Sequence, residues 1–307
     1  MEQTGSEKVI FWELDPSVQQ PIPAPNSVEP CIRTSGVTDI GIFTGEQDIR
    51  TPVDEMNFQP GGKYHSIVKL FICSEASKAW TTATGWLLEN DLVVTAAHCV
   101  LLNDQHASCV RVCIGYSASS GEYKDSDALR DNQRLVARIA LPFAWGDAKF
   151  EQSDVAFLQL DRPFHNVVPI ACSTPEIKAQ QRLTVVGYPA DLGTAAEGPG
   201  GEMYEFKISQ DMDLERSRRG MLGYHGDTHG GLSGAPVIRE SDCAAIGVHV
   251  RGGSLNSAVV IGGPFGVDFQ IYKDVLRSLR KGGDPQPGFQ IEPRPDREWL
   301  KVVHLTK

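Results

Sequence analysis

Ser233 is a candidate nucleophile because glycines surround it in the segment GGLSG, residues 230–234. A serine hydroxyl is a weak nucleophile at neutral pH, so it needs a base to take its proton and donors to hold the oxyanion that forms. Gly231 and Gly234 leave the backbone uncrowded, and the N–H groups of Gly231 and Ser233 could point at one oxygen. Taken alone, a Gly-x-Ser-Gly sequence is more often turn chemistry than catalysis.

Two further segments carry a candidate base and a residue that could orient it. His98 ends the run LVVTAAH, and Asp154 precedes the apolar run VAFLQL. His98 could accept the Ser233 proton, while Asp154 fixes the imidazole tautomer and stabilises the imidazolium. A lone histidine is more often a core residue, and a lone aspartate at a strand start often bonds to local backbone. The three residues together, in the order His, Asp, Ser, favour the catalytic interpretation.

The sequences TAAHC, DVAFL and GLSGAPV resemble the three signatures of the trypsin-like serine proteases, over roughly residues 60–280. The resemblance implies a Ser–His–Asp triad of Ser233, His98 and Asp154, with an oxyanion hole made by Gly231 and Ser233. It also implies an acyl-enzyme intermediate that water hydrolyses, so that no cofactor and no metal ion are needed.

The segments DTHGGLSG and IGVH are similar to those of the glutamyl endopeptidases, the V8-like branch of the family. In that branch a threonine five residues before the nucleophile and a histidine on the strand beside the S1 pocket bind an acidic side chain. The matching residues are Thr228 and His249. A carboxylate that enters a pocket must regain the hydrogen bonds it had with water. A hydroxyl and an imidazole can donate them, and a protonated His249 would add charge.

The resemblance therefore implies cleavage after Glu, and then Asp. It also implies that backbone groups of Val250, Arg251 and Gly252 pair with the substrate. The Arg251 side chain could contact an acidic subsite or point to solvent.

Three alternatives stay open. Trypsin itself has an acidic residue six residues before the serine, and Asp227 occupies that position, so cleavage after Arg or Lys is one alternative. His249 could also be a buried strand histidine without a substrate role. The chain could also be a catalytically silent binding module, because a fold does not determine a function.

Composition limits the partners. The net charge is −10 and no basic cluster is interleaved with aromatic residues, so nucleic acid is not an expected partner. No apolar run approaches the roughly 18 residues of a membrane-spanning helix. His225 and His229 are flanked by glycines, which argues against a helical zinc site. The expected partners are protein or peptide substrates of a monomeric enzyme.

The seven cysteines bear on the compartment. In the family, the cysteine after the catalytic histidine pairs with one just before the Thr-Gly-Trp strand, where this chain has Ala83. Cys99 is therefore expected to lack that bridge. The odd count, the missing partner and an N-terminus without an apolar signal core favour the cytoplasm over secretion.

Short apolar runs at strand spacing, separated by Gly, Asn, Asp and Ser, predict an all-β fold. We expect two antiparallel six-stranded β-barrels of the trypsin-like fold with a C-terminal helix packed on the second barrel. The expected divisions are a Pro-rich N-terminal extension or prosegment (1–40), a peptidase domain (41–281) and a C-terminal tail (282–307). Within the domain we expect the first barrel near 60–163, the second near 164–268 and the helix at 269–281.

Activation by cleavage is a further expectation. The segment at residues 42–50 resembles the mature N-termini of the V8-like branch. The chain is therefore expected to be a zymogen that is cut between Asp39 and Phe43.

Overall fold

The computed structural model describes residues 8–15, 17, 27–31, 48–74, 76, 79–102, 105–119, 131–192, 198–214, 220–280 and 288–305. Asp39 and Phe43, and with them the predicted activation site, lie outside these residues. The described strands are β1 (Lys8–Glu13), β2 (Val28–Pro30), β3 (Thr51–Pro52), β4 (Ile67–Ser74), β5 (Trp80–Glu89), β6 (Leu92–Thr95), β7 (Leu101–Leu102), β8 (Gln105–Ile114), β9 (Gln133–Pro142), β10 (Ala156–Leu160), β11 (Lys178–Gly187), β12 (Tyr204–Asp213), β13 (Met221–Tyr224), β14 (Pro236–Arg239), β15 (Ala244–Arg251), β16 (Asn256–Val260), β17 (Phe289–Arg294) and β18 (Arg297–Leu305). The described α-helices are α1 (Glu55–Phe58), α2 (Ala97–Val100), α3 (Phe143–Ala148) and α4 (Phe269–Arg280), with a 3-10 turn at Glu151–Ser153.

Six strands of the first sheet close into a barrel. Their order is β9-β10-β6-β5-β4-β8, and β8 pairs again with β9. The strands are rich in β-branched and aromatic residues, which pack well on a pleated, buried surface. Val68, Leu70, Val93 and Leu158 are fully buried inside it. The first predicted barrel is confirmed.

The second sheet is a half-barrel of seven antiparallel strands in the order β13-β16-β15-β14-β11-β12-β3. Leu183, Val185, Tyr224 and Ile246 form part of its separate core. The predicted all-β trypsin-like fold is confirmed, with an open second sheet where six closed strands were expected. The long β11–β12 pair, which runs from Lys178 to Asp213, forms one side of this sheet.

Both chain ends contribute strands, which differs from the expected extension and tail. β1 pairs with β9 on one side and β18 on the other, and β17 and β18 form a hairpin. Residues 9–12, with the sequence VIFW, are buried. An apolar run of this kind stabilises the sheet when it is removed from water, at about 25 cal/mol per Å². The sequence did not predict this strand, because the prolines farther along the N-terminal region indicated an extension without strands.

The C-terminal helix α4 is confirmed, and its first turn is capped by Asp268, whose Oδ1 accepts the N–H of Gln270 at 2.9 Å. Its predicted packing on the second barrel is wrong. Tyr272 stacks on Phe157 of β10, with ring centroids 4.3 Å apart, so the helix packs on the first barrel. Within the described residues, no helix has the length and apolar character needed to span a membrane.

Candidate active site

Three separate elements carry the candidate catalytic side chains. His98 lies in α2, directly after β6, and Asp154 follows the 3-10 turn that leads into β10. β6 and β10 pair in antiparallel register with Thr95 opposite Ala156, so the two residues lie at the same end of the barrel. Ser233 lies in the loop between β13 and β14 of the second sheet. The site therefore forms where the two sheets meet.

The three side chains form a continuous hydrogen-bonded chain. Nδ1 of His98 lies 2.8 Å from Oδ2 of Asp154, and Nε2 lies 2.9 Å from Oγ of Ser233. The backbone N–H of His98 also donates to Oδ1 of Asp154 at 2.8 Å. Asp154 is fully buried, and His98 and Ser233 are nearly so. The two bonds to one carboxylate fix the orientation of the imidazole, as base catalysis requires.

The surroundings of His98 favour its charged form. Burial alone would lower the pKa of His98, but the charge and hydrogen bond of Asp154, with a smaller contribution from Cys31, raise the pKa to about 10. The imidazolium stabilised in this way can donate its proton to a leaving group, whereas attack by Ser233 needs the neutral imidazole, whose free Nε2 accepts the serine proton.

The loop around Ser233 has the backbone geometry of an anion site. Gly231 has a φ of +96°, and a Cβ there would lie 2.5 Å from the carbonyl oxygen of Tyr188, so only glycine fits. Among the described residues, no acceptor is recorded for the N–H of Gly231 or of Ser233. Two unpaired N–H groups beside a nucleophile are suited to bind a developing oxyanion.

Thr84 supports this loop, and sequence analysis missed it. Its Oγ1 donates to the carbonyl oxygen of Gly231 at 2.8 Å and accepts the N–H of Tyr188 at 3.0 Å. Its backbone N–H donates to the carbonyl oxygen of Ser233 at 3.0 Å. Thr84 lies on β5 of the first barrel, so one threonine joins that barrel to the loop of the second sheet.

Thr228 lies in the same loop as Ser233 and is held by Asn256. Its Oγ1 donates to Oδ1 of Asn256 at 2.8 Å, and Nδ2 of Asn256 donates to the carbonyl oxygen of Gly226 at 2.8 Å. Both side chains are buried. Sequence analysis named Thr228 but not Asn256, because a single Asn in a strand carries no motif.

His249 lies on β15 beside Tyr224. The Tyr224 hydroxyl lies 2.5 Å from Nδ1 of His249, and both residues are buried. Burial, followed by the charge of His98, lowers the pKa of His249 to about 3. His249 is therefore neutral at pH 7 in the free protein. The physical reason is that burial removes hydration from the imidazole, and no carboxylate among the described residues offsets this loss.

Asp227 is already bonded within the fold. Its Oδ2 accepts the backbone N–H of Ile49 at 2.8 Å. The neighbouring Arg50 forms ion pairs with Asp48 and with Asp191, at 2.8 Å and 2.7 Å. These contacts attach the segment before β3 to the wall of the site. One oxygen of Asp227 therefore helps to hold this segment.

The remaining predicted substrate-binding residues lie at the end of β15. Val250 and Gly252 are buried, and a bulge interrupts the pairing with β16 between His249 and Arg251. The guanidinium of Arg251 pairs with Glu151 at 3.2 Å. Glu151 begins the turn before Asp154, so this ion pair links the two sheets close to the triad.

Comparison with known proteins shows the family of this chain. The family profile described as "Trypsin-like peptidase domain" matches residues 83–248, more than half of the chain. The chain belongs to the trypsin-like peptidase family. This trypsin-like peptidase is also 25% identical to a glutamyl endopeptidase of Bacillus licheniformis over 262 residues, which are 81% of this chain and 69% of the relative.

Two solved structures share the fold of the trypsin-like peptidase. A Glu endopeptidase superposes with a TM-score of 0.59 at 21% identity, covering 75% of this chain and 97% of that one. A scabies mite inactivated protease paralogue superposes with a TM-score of 0.52 at 17% identity, covering 74% and 98%. At these identities the superpositions show the fold alone, so activity must be argued from the site.

Potential metal-donor groups lie close together at a place that the sequence analysis did not consider. His225 is exposed, while His229 lies 3.7 Å from Asp191. In the part of the chain that the structure describes, one group of three donors stands out: Cys31, His98 and Cys99, whose ligand atoms all lie within 4.8 Å of one another. Cys99 is a free thiol, as expected without a cysteine at position 83. Its neighbour is instead Cys31 of the N-terminal region, which sequence analysis did not place.

Proposed function

We propose that this trypsin-like peptidase is a serine endopeptidase that cleaves peptide bonds after Glu, and less readily after Asp. The observation that carries hydrolysis is the chain of bonds from Asp154 through His98 to Ser233, with 2.8 Å and 2.9 Å between the bonded atoms. Protein or peptide substrates are those expected of the family.

In the proposed reaction, Ser233 Oγ attacks the scissile carbonyl while Nε2 of His98 takes its proton. The N–H groups of Gly231 and Ser233 hold the oxyanion. His98 then gives the proton to the leaving amine, which leaves Ser233 acylated. Water attacks the acyl-enzyme with His98 again acting as base, and Asp154 holds the imidazole throughout.

The acidic preference rests on the buried polar groups beside Ser233. If the Tyr224 hydroxyl donates to Nδ1 of His249, the neutral imidazole carries its own hydrogen on Nε2 and can donate it to a carboxylate. Thr228, fixed by Asn256, supplies a second polar group at the same wall. A bound carboxylate would also favour protonation of His249, so charge assistance would arise on binding.

The two other functions are less well supported. Cleavage after Arg or Lys would need Asp227 as the pocket anion, but its Oδ2 accepts the N–H of Ile49. A silent binding module is compatible with the fold, since an inactivated paralogue shares it. A module without catalysis has no need of the buried Asp154–His98–Ser233 arrangement, which favours the enzyme.

Four peptides that differ only in Glu, Asp, Lys or Phe before the cleavable bond test the proposal. We expect cleavage in the order Glu, Asp, then Lys and Phe, and no cleavage by Ser233→Ala. Ser233→Ala should lower kcat by about 10⁴–10⁶. Cleavage after Lys would retain the triad and overturn the acidic pocket. Failure of all four peptides, together with no labelling of Ser233 by a fluorophosphonate, would overturn the enzyme assignment.

A further inference from the structure

The N-terminal segment brings a thiol next to the candidate base. β2 pairs in parallel with the start of β5, with Pro30 opposite Thr82. The N–H of Cys31 then donates to the carbonyl oxygen of Thr82 at 2.9 Å, so the backbone of Cys31 is fixed where β2 ends. Thr82 is two residues before Thr84, which contacts the Ser233 loop. The pairing therefore directs Cys31 toward the catalytic centre.

A second thiol comes from the catalytic helix itself. Cys99 follows His98 in α2, and its backbone N–H donates to the carbonyl oxygen of Ala96 at 3.2 Å. Cys31, His98 and Cys99 are 5%, 1% and 7% exposed. Two sulfur atoms and one imidazole nitrogen thus lie within 4.8 Å of one another in a site screened from bulk water.

We propose that Cys31, Cys99 and Nε2 of His98 form an inhibitory Zn²⁺ site. Tetrahedral zinc takes sulfur at about 2.3 Å and nitrogen at about 2.0 Å, which places neighbouring donors roughly 3.5–3.8 Å apart. The observed upper limit of 4.8 Å requires donors to approach one another by at most about 1.0–1.3 Å. Two thiolates and one imidazole also form a known zinc ligand set, and thiolates favour zinc over harder divalent cations.

The Asp154 bond decides which nitrogen the ion would take. Nδ1 of His98 is held at 2.8 Å by the buried carboxylate, which leaves Nε2 for the ion. A carboxylate on the far nitrogen is the usual outer partner of a histidine that binds zinc, because it fixes the ring and raises its basicity. The same bond that orients the base would thus support the metal ion.

Binding and inhibition are then one event. Zn²⁺ on Nε2 replaces the contact with Ser233 Oγ, now 2.9 Å, so the serine loses its base. The ion takes both sulfur atoms as thiolates and the imidazole through a deprotonated Nε2, so any protons on these three atoms go to solvent and no oxidation state changes. The inhibition, though not the binding, rests on the proposed peptidase activity.

The test uses the full-length protein, reduced and freed of metal. Glu-peptide hydrolysis is measured during a Zn²⁺ titration, and Co²⁺ is titrated separately while its absorption is recorded. We expect inhibition at one equivalent of zinc, reversed by a chelator, and a cobalt–thiolate absorption band with the same stoichiometry. Ser233→Ala should still give the cobalt band, so metal binding is measured even in a protein that hydrolyses nothing.

Cys31→Ser and Cys31→Ala are the deciding variants, with the exposed Cys243→Ser as the matched control. Each is compared with its own metal-free activity and checked for folding by circular dichroism. Loss of a ligand should raise the zinc concentration needed for half-maximal inhibition by about tenfold or more. It should also remove the Cys31 contribution to the cobalt band. The control should match the wild type. Equal zinc inhibition in the Cys31 variants, or a Cys31–Cys99 disulfide that persists in reductant, would overturn the proposal.

Discussion

The hydroxyl of Tyr224 and Nδ1 of His249 lie 2.5 Å apart in the wall beside the nucleophile. Neither residue belongs to the candidate triad, and their bond occupies Nδ1 of His249, so Nε2 is the nitrogen that the proposed pocket would use. In the proposed pocket this phenol is therefore a positioning group, and His249 is the group that contacts the substrate carboxylate.

Tyr224→Phe removes that bond while keeping the ring. The free Nδ1 would no longer select the tautomer that donates from Nε2, so KM for a Glu peptide should rise about five- to tenfold, equivalent to about 1 kcal/mol. kcat should change less than KM, because Tyr224 does not contact the triad. Steady-state kinetics on matched Glu and Phe peptides measure the effect.

Tyr272→Phe is the control, since that tyrosine is buried against Phe157 on the first barrel. An equal rise in KM for the Glu and Phe peptides would contradict the positioning role of Tyr224.

The pH dependence of stability should also report on His249. Burial lowers its folded pKa to about 3, below the ordinary value of about 6.5 in the unfolded chain. The unfolded chain therefore binds a proton first as the pH falls, and stability present above pH 6.5 is lost on acidification. The loss from this residue should be roughly 1.4 kcal/mol per pH unit below about 6.5.

Urea unfolding at several pH values between 7 and 5 measures this loss for the wild type and for His249→Gln. The variant lacks the titrating group. Between pH 7 and pH 5, its free energy of unfolding should therefore fall by about 2 kcal/mol less than that of the wild type. Parallel curves for the two proteins would show that His249 is not held neutral.

Thr84→Val tests the contact between the first barrel and the oxyanion loop. Valine keeps the shape but leaves the carbonyl oxygen of Gly231 and the N–H of Tyr188 without their Thr84 partner. A buried polar group without its partner costs about 1–3 kcal/mol, and a displaced loop binds the oxyanion less well. We expect a lower melting temperature and a kcat reduced by about 10- to 100-fold.

The matched control is Thr81→Val on the same strand, where the hydroxyl contact to Ile72 is long at 3.5 Å. It should retain kcat. If Thr84→Val lowered only the melting temperature and left kcat intact, the loop would not depend on this hydroxyl.

Asp227→Asn distinguishes a structural from a substrate role for Asp227. The amide can still accept the N–H of Ile49 through its oxygen, so Glu cleavage should change by less than about tenfold, within the cost of one hydrogen bond. Asp227→Ala, which leaves that N–H unpaired, should be more damaging. Measured kcat/KM values on Glu and Lys peptides distinguish the structural role of Asp227 from a substrate-binding role. A Lys cleavage in the wild type that disappears in Asp227→Asn would show that Asp227 binds the substrate.

The three residues of the candidate triad could be selected from the sequence because each lies in its own short motif. His98 ends an apolar strand, Asp154 begins one, and Ser233 lies among glycines. These motifs identify the three residues without any knowledge of which strands pair. The all-β class was predictable for a similar reason, since alternating apolar runs and turn residues are local signals.

The supporting residues could not be predicted because their partners are set by pairing across strands. Tyr224 and Asn256 face one another only through the β13–β16 register, and neither belongs to a recognisable motif. Cys31 reaches His98 only because a three-residue strand pairs with β5. Such contacts depend on tertiary structure, so a short stretch of sequence contains no signal for them.

β1 lies between β9 and β18, and β2 lies against β5, on the N-terminal side of the predicted cut between residues 39 and 43. A single cut there would yield a two-chain heterodimer rather than shed a free leader peptide. The small fragment would be retained by strand addition, as a split protein is reassembled from its halves. The fragment would dissociate from the rest of the protein with a measurable Kd, and the thiol of Cys31 would leave with the fragment.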